Sequence, residues 1–182
     1  LNDGYYDEAV EKLGEHDPFG GLRGGKYSLF EAGTRVPFIT YWKGKIKPQV
    51  SNELVTQIDF LESFSSLIGS EINSKDGFDL SDVFFRNKGK GRTEFVLEAT
   101  SRTAFRQNNW VMIPPYKGPA LNNSVNIEVG NSKKYLLFDL DKDLAQKNDL
   151  SKKYPEKLQE MIKRYGEITG DDLGEVEELI LE

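Results

Sequence analysis

Two glycines and a lysine, Gly24-Gly25-Lys26, form the most reactive-looking stretch of this chain. Arg23, Glu31 and Arg35 surround them, and the sole histidine, His16, precedes the lysine between Glu15 and Asp17. Glycines let backbone come close to a ligand. A fixed cation on such a loop anchors an oxyanion, phosphate or sulfate. Arg23 and Arg35 read equally well as surface cations in weak ion pairs. A lone histidine is more often structural than catalytic, although His16 offers a proton or a hydrogen bond to a substrate hydroxyl.

Which anion is meant depends on the surrounding residues. Gly20 to Lys26 fits the phosphate-loop spacing G-x-x-x-x-G-K, but the next residue is Tyr27 where a magnesium-holding Ser or Thr belongs. The residues ahead of it, Glu15-His16-Asp17-Pro18, are not the hydrophobic strand that a phosphate loop follows. A second pattern, Asp139-x-Asp141-x-Asp143, resembles the start of a calcium loop. It places Leu144 where a Gly is required and Leu150 where a Glu is required. A turn with solvated carboxylates is the better reading there.

The elements that must position these residues are legible in part. Residues 1–34 are punctuated by glycines and poorly patterned, with a short helix expected over Asp7 to Leu13. Arg35 to Trp42, aromatic and β-branched, predicts a buried strand with Pro37 near its start. Val55 to Ile58 predicts a short strand. Asp59 then reads as a helix N-cap, with Glu62 three residues on as in a capping box. Phe60, Leu61, Phe64, Leu67 and Ile68 form the apolar face of that helix, and Gly69 ends it. Glu94–Ala99, Asn109–Ile113 and Lys134–Phe138 predict three antiparallel strands. Pro155 opens a helix whose core face is Leu158, Met161, Ile162 and Tyr165. The stretch from Gly170 to Glu182 is an acidic tail.

Composition excludes several classes. The 182 residues carry 24 Lys+Arg against 30 Asp+Glu, a net charge of −6, which argues against a nucleic-acid binder. No apolar run is long enough to span a membrane, and no signal-peptide pattern is present. With no cysteine there is no disulfide, thiolate metal site or cysteine nucleophile. The chain opens on Leu1 and loop-like residues, and reads as a piece of a longer protein.

Leu22-Arg23-Gly24-Gly25-Lys26, Glu31-Ala32-Gly33-Thr34-Arg35-Val36-Pro37 and Trp42-Lys43-Gly44 together resemble a segment of the type I, formylglycine-dependent sulfatases, members of the alkaline-phosphatase superfamily. The family pattern is L-R-G-x-K, then E-G-G-x-R-x-P, then an apolar strand ending in W-P-G. Ala32 and Lys43 depart from it. Val55 to Asp59 with its helix, and Leu137 to Leu150 (where Leu144 replaces a Pro and Lys147 falls near the Glu position), resemble later family segments. Asp3-Gly4-Tyr5 and His16 resemble the bacterial subgroup that acts on carbohydrate sulfates.

The resemblance implies the C-terminal part of an α/β, alkaline-phosphatase-like fold. The end of a large mixed sheet lies in residues 1–90, and a small antiparallel sheet packed with a helix lies in 91–170, before a tail at 171–182. It implies a sulfuric ester hydrolase acting on sulfated carbohydrate or aryl sulfate. Lys26 would be the catalytic cation at the sulfate and its leaving-group oxygen, His16 and Arg23 would bind substrate, and Glu31 and Arg35 would brace the loop. Calcium and formylglycine belong to the full-length enzyme. The nucleophile motif C/S-x-P-x-R is not in this chain, so a missing N-terminal catalytic portion would be its partner, and no metal is expected on this chain alone. A periplasmic or secreted location also follows from the resemblance. The rival readings are a phosphodiesterase or phosphonate hydrolase of the same superfamily and a non-catalytic interaction module.

Overall fold

The computed structural model describes residues 14–123 and 125–170. The expected helix over Asp7 to Leu13 and the acidic tail from 171 lie outside the described residues, as do Asp3, Gly4 and Tyr5. The described residues fall into two compact bodies: those up to Val36 with those from Glu94 to Gly170, and Pro37–Thr93.

The first body is built on a four-stranded antiparallel sheet. Its strands are β1 (Glu94–Ala99), β2 (Arg102–Gln107), β3 (Trp110–Ile113) and β6 (Leu136–Asp139), in the order β1-β2-β3-β6. A two-stranded ribbon, β4 (Leu121–Asn122) with β5 (Ile127–Glu128), accompanies it. Three of the four main strands lie where the sequence predicts them. The unpredicted one is β2, Arg-Thr-Ala-Phe-Arg-Gln, whose charged residues mask a strand that pairs along its whole length with β1.

Strand alternation sends side chains to opposite faces, and both faces are covered. On one face Phe105, Met112 and Leu137 pack against Met161 and Tyr165 of the closing helix, Pro155–Thr169. Pro155 occupies its first turn and Gly170, at φ 84°, ends it in the left-handed region. Met161 is fully buried and Tyr165 nearly so, each burial contributing roughly 1.5–3 kcal/mol before entropy is counted. Burial pushes the Tyr165 phenol up to about 12. On the other face Leu97, Ala104, Val111, Ile113 and Phe138 meet Leu29 and Phe30, which lie three and four residues after Lys26. The glycine–lysine loop is therefore anchored by its own apolar residues to the back of the sheet.

The second body, 37–93, departs from expectation. Arg35 to Trp42 forms no strand, and it is not buried: Ile39 is 86% exposed and Tyr41 83%. A strand needs a neighbour for its backbone ladder, and among the described residues this segment has none. Val55 and Thr56 are likewise not strand, and Gln57–Asp59 is a 3₁₀ turn. The helix forms as predicted over Phe60–Leu67, but with its faces reversed. Glu62, Ser63 and Ser65 are buried, while Leu61, Phe64 and Ile68 are exposed.

Asp59 does not cap that helix with its carboxylate. The carboxylate instead accepts from the Thr56 backbone N–H and hydroxyl, both at 3.0 Å, and from the Phe78 N–H at 3.1 Å. Glu62 reaches outward to accept from the Ser74 N–H rather than back to Asp59. Arg92 closes the network, its Nε 2.9 Å from each Asp59 oxygen and its guanidinium 4.1 Å over the Phe78 ring.

Candidate functional site

The segment around Lys26 is a closed loop. The Ala32 N–H donates to the Arg23 carbonyl at 3.0 Å, drawing the two ends together. Glu31–Thr34, immediately after, forms a single helical turn. Inside the loop the Ser28 N–H donates to the Gly25 carbonyl at 3.0 Å, so Gly25 to Ser28 is a tight turn with exposed Lys26 at its corner. Tyr27, at φ 74°, occupies the left-handed position that such a turn usually gives to Gly. The Lys26 ammonium lies 5.0 Å from the centre of the Tyr27 ring.

The glycines serve the protein's own packing. A Cβ on Gly25 would come within 2.8 Å of Phe19 and 2.9 Å of Ile127. A Cβ on Gly33 would strike the carbonyl oxygens of Ser28 and Gly25 at 2.2 and 2.5 Å. Close approach of backbone is thus required here by neighbouring protein atoms.

Four attachments hold the loop to the sheet body. The Leu29 N–H donates to the Val129 carbonyl at 3.2 Å. Arg102 Nη2 donates to the Tyr27 carbonyl at 3.0 Å, while its Nη1 donates to Asn131 Oδ1 at 2.6 Å. Arg23 Nη1 donates to the Gln146 carbonyl at 2.8 Å. The Glu31 N–H donates to Gln146 Oε1 at 2.7 Å. Sequence reading missed Arg102, Asn131 and Gln146: Arg102 finds its loop partner 75 residues earlier and Gln146 finds its own 115 and 123 residues earlier, while Asn131 acts only by holding Arg102.

Among the residues singled out from sequence, Glu31 and Arg35 are brought together. Arg35 Nε and Nη2 donate to Glu31 Oε2 at 2.7 and 2.6 Å, and Arg106 Nη1 lies 3.5 Å from Glu31 Oε1. Glu31 is buried, so this carboxylate is neutralised inside the fold. Arg23 is engaged by Glu128 through Nε, by Gln146 through Nη1, and by the Phe30 ring at 4.0 Å. An open cavity of about 430 Å³ lies beside it, lined by Gly21, Arg23, Glu128, Ala145 and Lys147. His16 is exposed on the approach to the loop. Next to it Asp17 accepts from the Phe19 N–H at 2.8 Å and from the Gly21 N–H at 2.5 Å, and these bonds hold its carboxyl below the usual range.

Asp139, Asp141 and Asp143 make a turn. Asp139 is buried, which raises its pKa. Lys142 and the Asn109 amide more than offset this, leaving it below the ordinary value. Asp143 accepts from the Asn148 N–H and side-chain amide at 2.7 and 3.0 Å. The Asp139 and Asp143 carboxylates are spent on the turn itself. Among the described residues no group of three acidic or histidine side chains is placed to hold a metal, and no helix is long and apolar enough to cross a membrane.

Comparison with known proteins places this arrangement. The sulfatase family model matches residues 10–70, the stretch that contains the loop. The N-acetylgalactosamine-6-O-sulfatase of Bacteroides thetaiotaomicron is 35% identical over 165 residues, covering 88% of this chain and 32% of that protein. Arylsulfatase G of Rattus norvegicus is 28% identical, covering 96% of this chain and 36% of that protein. A solved Bacteroides thetaiotaomicron structure, described as a 6S-sulf protein from the metabolism of multiple glycosaminoglycans, superposes with a TM-score of 0.83. It is 32% identical and covers 90% of this chain and 35% of that one. The chain thus spans about a third of the length of the relatives it matches. With an alkaline-phosphatase-like fold shared over nine-tenths of its length and the family model lying over the Lys26 loop, the chain belongs to the sulfatase family.

Proposed function

We propose that the chain is the C-terminal part of a sulfuric ester hydrolase acting on sulfated carbohydrate or aryl sulfate. The observation that carries this reading is the Lys26 turn, a cation held at the corner of a loop with four attachments, within the segment that the sulfatase model matches. Lys26 would pair with the sulfate oxygens and stabilise the negative charge that grows on the leaving oxygen as the S–O bond breaks. Buried Glu31, paired with Arg35 and Arg106, would keep the loop's base rigid without leaving an unpaired carboxylate beside the sulfate. Arg23, with Nε and Nη1 engaged inside the fold, would offer Nη2 to a substrate hydroxyl, and His16 would meet the substrate from the loop's exposed approach.

The family's calcium and formylglycine would supply a Lewis acid and a covalent nucleophile. Among the described residues no three acidic or histidine side chains are grouped to hold a calcium ion, Asp139 and Asp143 are engaged by Lys142 and Asn148, and the sequence has no C/S-x-P-x-R. Both groups would therefore reside on the remaining portion of the enzyme, a periplasmic or secreted protein. That portion would also cover the apolar surface of the 37–93 body, where Ile39, Tyr41 and Ile68 are 86%, 83% and 78% exposed. Such a surface is what an element leaves behind when its packing partner is elsewhere.

The isolated 182-residue chain is expected to release no sulfate from 4-nitrophenyl sulfate, whereas the full-length enzyme should release it catalytically. Turnover by the isolated chain would place a nucleophile within it and overturn this assignment.

A further inference from the structure

We infer that Gln146 is a positioning residue for Lys26. It clamps both ends of the loop at once, and this inference rests on Lys26 being the sulfate-binding cation. Its backbone carbonyl accepts from Arg23 and its side-chain oxygen accepts from the Glu31 N–H, at 2.8 and 2.7 Å. Those partners flank Lys26, three residues before it and five after. The Glu31 N–H is the first of its helical turn, and Phe30 at the N-cap supplies no side-chain acceptor. Gln146 performs that capping from more than a hundred residues away.

Three features of Gln146 are unfavourable in isolation and make sense together only as a clamp. Its side chain is fully buried. Its backbone stands at φ 51°, in the left-handed region where residues other than Gly, Asn and Asp are strained. Its Nε2 is a buried donor with no partner. Exchanging the amide's oxygen and nitrogen would not relieve this, because the NH₂ would then face the Glu31 N–H. The residue therefore tolerates strain and an unmade bond to place two acceptors on the loop, the kind of local cost that collects where geometry serves function. With Arg23 and Glu31 fixed to one point, the Gly25–Ser28 turn has little freedom, and the Lys26 ammonium is held where a small displacement would lose much of its effect.

The test is a double-mutant cycle in the full-length enzyme, read as kcat and KM for 4-nitrophenyl sulfate. Gln146→Asn keeps an amide, suits the left-handed backbone better than Gln, and withdraws the acceptor by one methylene. It should lower kcat about 10- to 100-fold with a thermal midpoint near that of the parent. In the Lys26→Ala background the same substitution should lower kcat less than about twofold, because its effect runs through Lys26. Gln146→Glu, which restores the reach and the acceptor, should recover most of the turnover. A loss of equal size in both backgrounds, or none in either, overturns the inference while leaving the sulfatase reading intact. If Lys26→Ala itself leaves turnover unchanged, the sulfatase reading fails first.

Discussion

Replacing Lys26 by Ala in the full-length enzyme is expected to lower kcat for an aryl sulfate about 10²- to 10³-fold, the range seen when one preorganised charge-stabilising group is removed. The reason lies in where the charge sits. Lys26 projects from a turn whose two flanks, Leu29-Phe30 and Arg23, are buried in or bonded to the sheet body. On the proposed function, the backbone that carries its ammonium would already be in place when charge develops on the sulfate. The side chain is exposed, so its removal should change folding stability by no more than about 0.5 kcal/mol. KM should rise less than kcat falls, since the leaving-oxygen charge exists only in the transition state. Lys26→Arg should recover part of the rate, because a planar fork replaces a compact point charge. A loss below about threefold, against the expected hundredfold or more, would support the interaction-module reading.

The largest expected effect on stability is at Arg92. Its side chain is 5% exposed and that of Asp59 is fully buried, and the two form a bidentate pair. Arg92→Ala should destabilise the 37–93 body by about 3–5 kcal/mol, because it strands a buried carboxylate. The pH dependence separates this from simple loss of packing. In the parent, burial raises the Asp59 pKa, but Arg92, the Phe78 N–H and Thr56 together bring it below the ordinary value. Stability from this group is thus present above the unfolded carboxyl pKa and is lost as pH falls through the folded one. In Arg92→Ala the folded pKa is expected to rise, because burial is then opposed only by the Phe78 and Thr56 bonds. The cost should then be greatest at neutral pH and shrink on acidification toward pH ~4, where the carboxyl protonates in both states. Denaturant unfolding at pH 7 and pH 4 measures both slopes. Equal destabilisation at the two pH values would show that lost packing, and not the stranded charge, accounts for the effect.

The sequence exposed the parts of this molecule whose signals are local. The β-rich apolar runs at Glu94–Ala99 and Asn109–Ile113, and Pro155 at a helix start, were readable because strand propensity and the first-turn preference of Pro act within a few residues. What failed had a non-local cause. Arg35 to Trp42 has strand chemistry but no strand partner among the described residues, so its apolar side chains stay exposed. The helix at Phe60–Leu67 has the predicted length, but its polar face packs inward because Asp59 and Glu62 bond to residues 74–92. At the candidate site Lys26, Glu31 and Arg35 were visible as a spaced cluster. Gln146 and Arg102, which fix that cluster in space, carry no local signature and are joined to it only by folding.

The central claim is that the Lys26 loop serves sulfate-ester hydrolysis, and substrate preference of the full-length enzyme tests it most directly. Initial rates should be measured side by side for 4-nitrophenyl sulfate and bis(4-nitrophenyl) phosphate, with inorganic sulfate assayed as product. The account predicts that kcat/KM for the sulfate ester exceeds that for the phosphodiester by roughly a hundredfold or more, a transition-state preference of about 2.7 kcal/mol. It also predicts that Lys26→Ala removes most of the sulfate release. A faster phosphodiester reaction, with sulfate release near background, would contradict it and assign the loop to the phosphodiesterase branch of the superfamily.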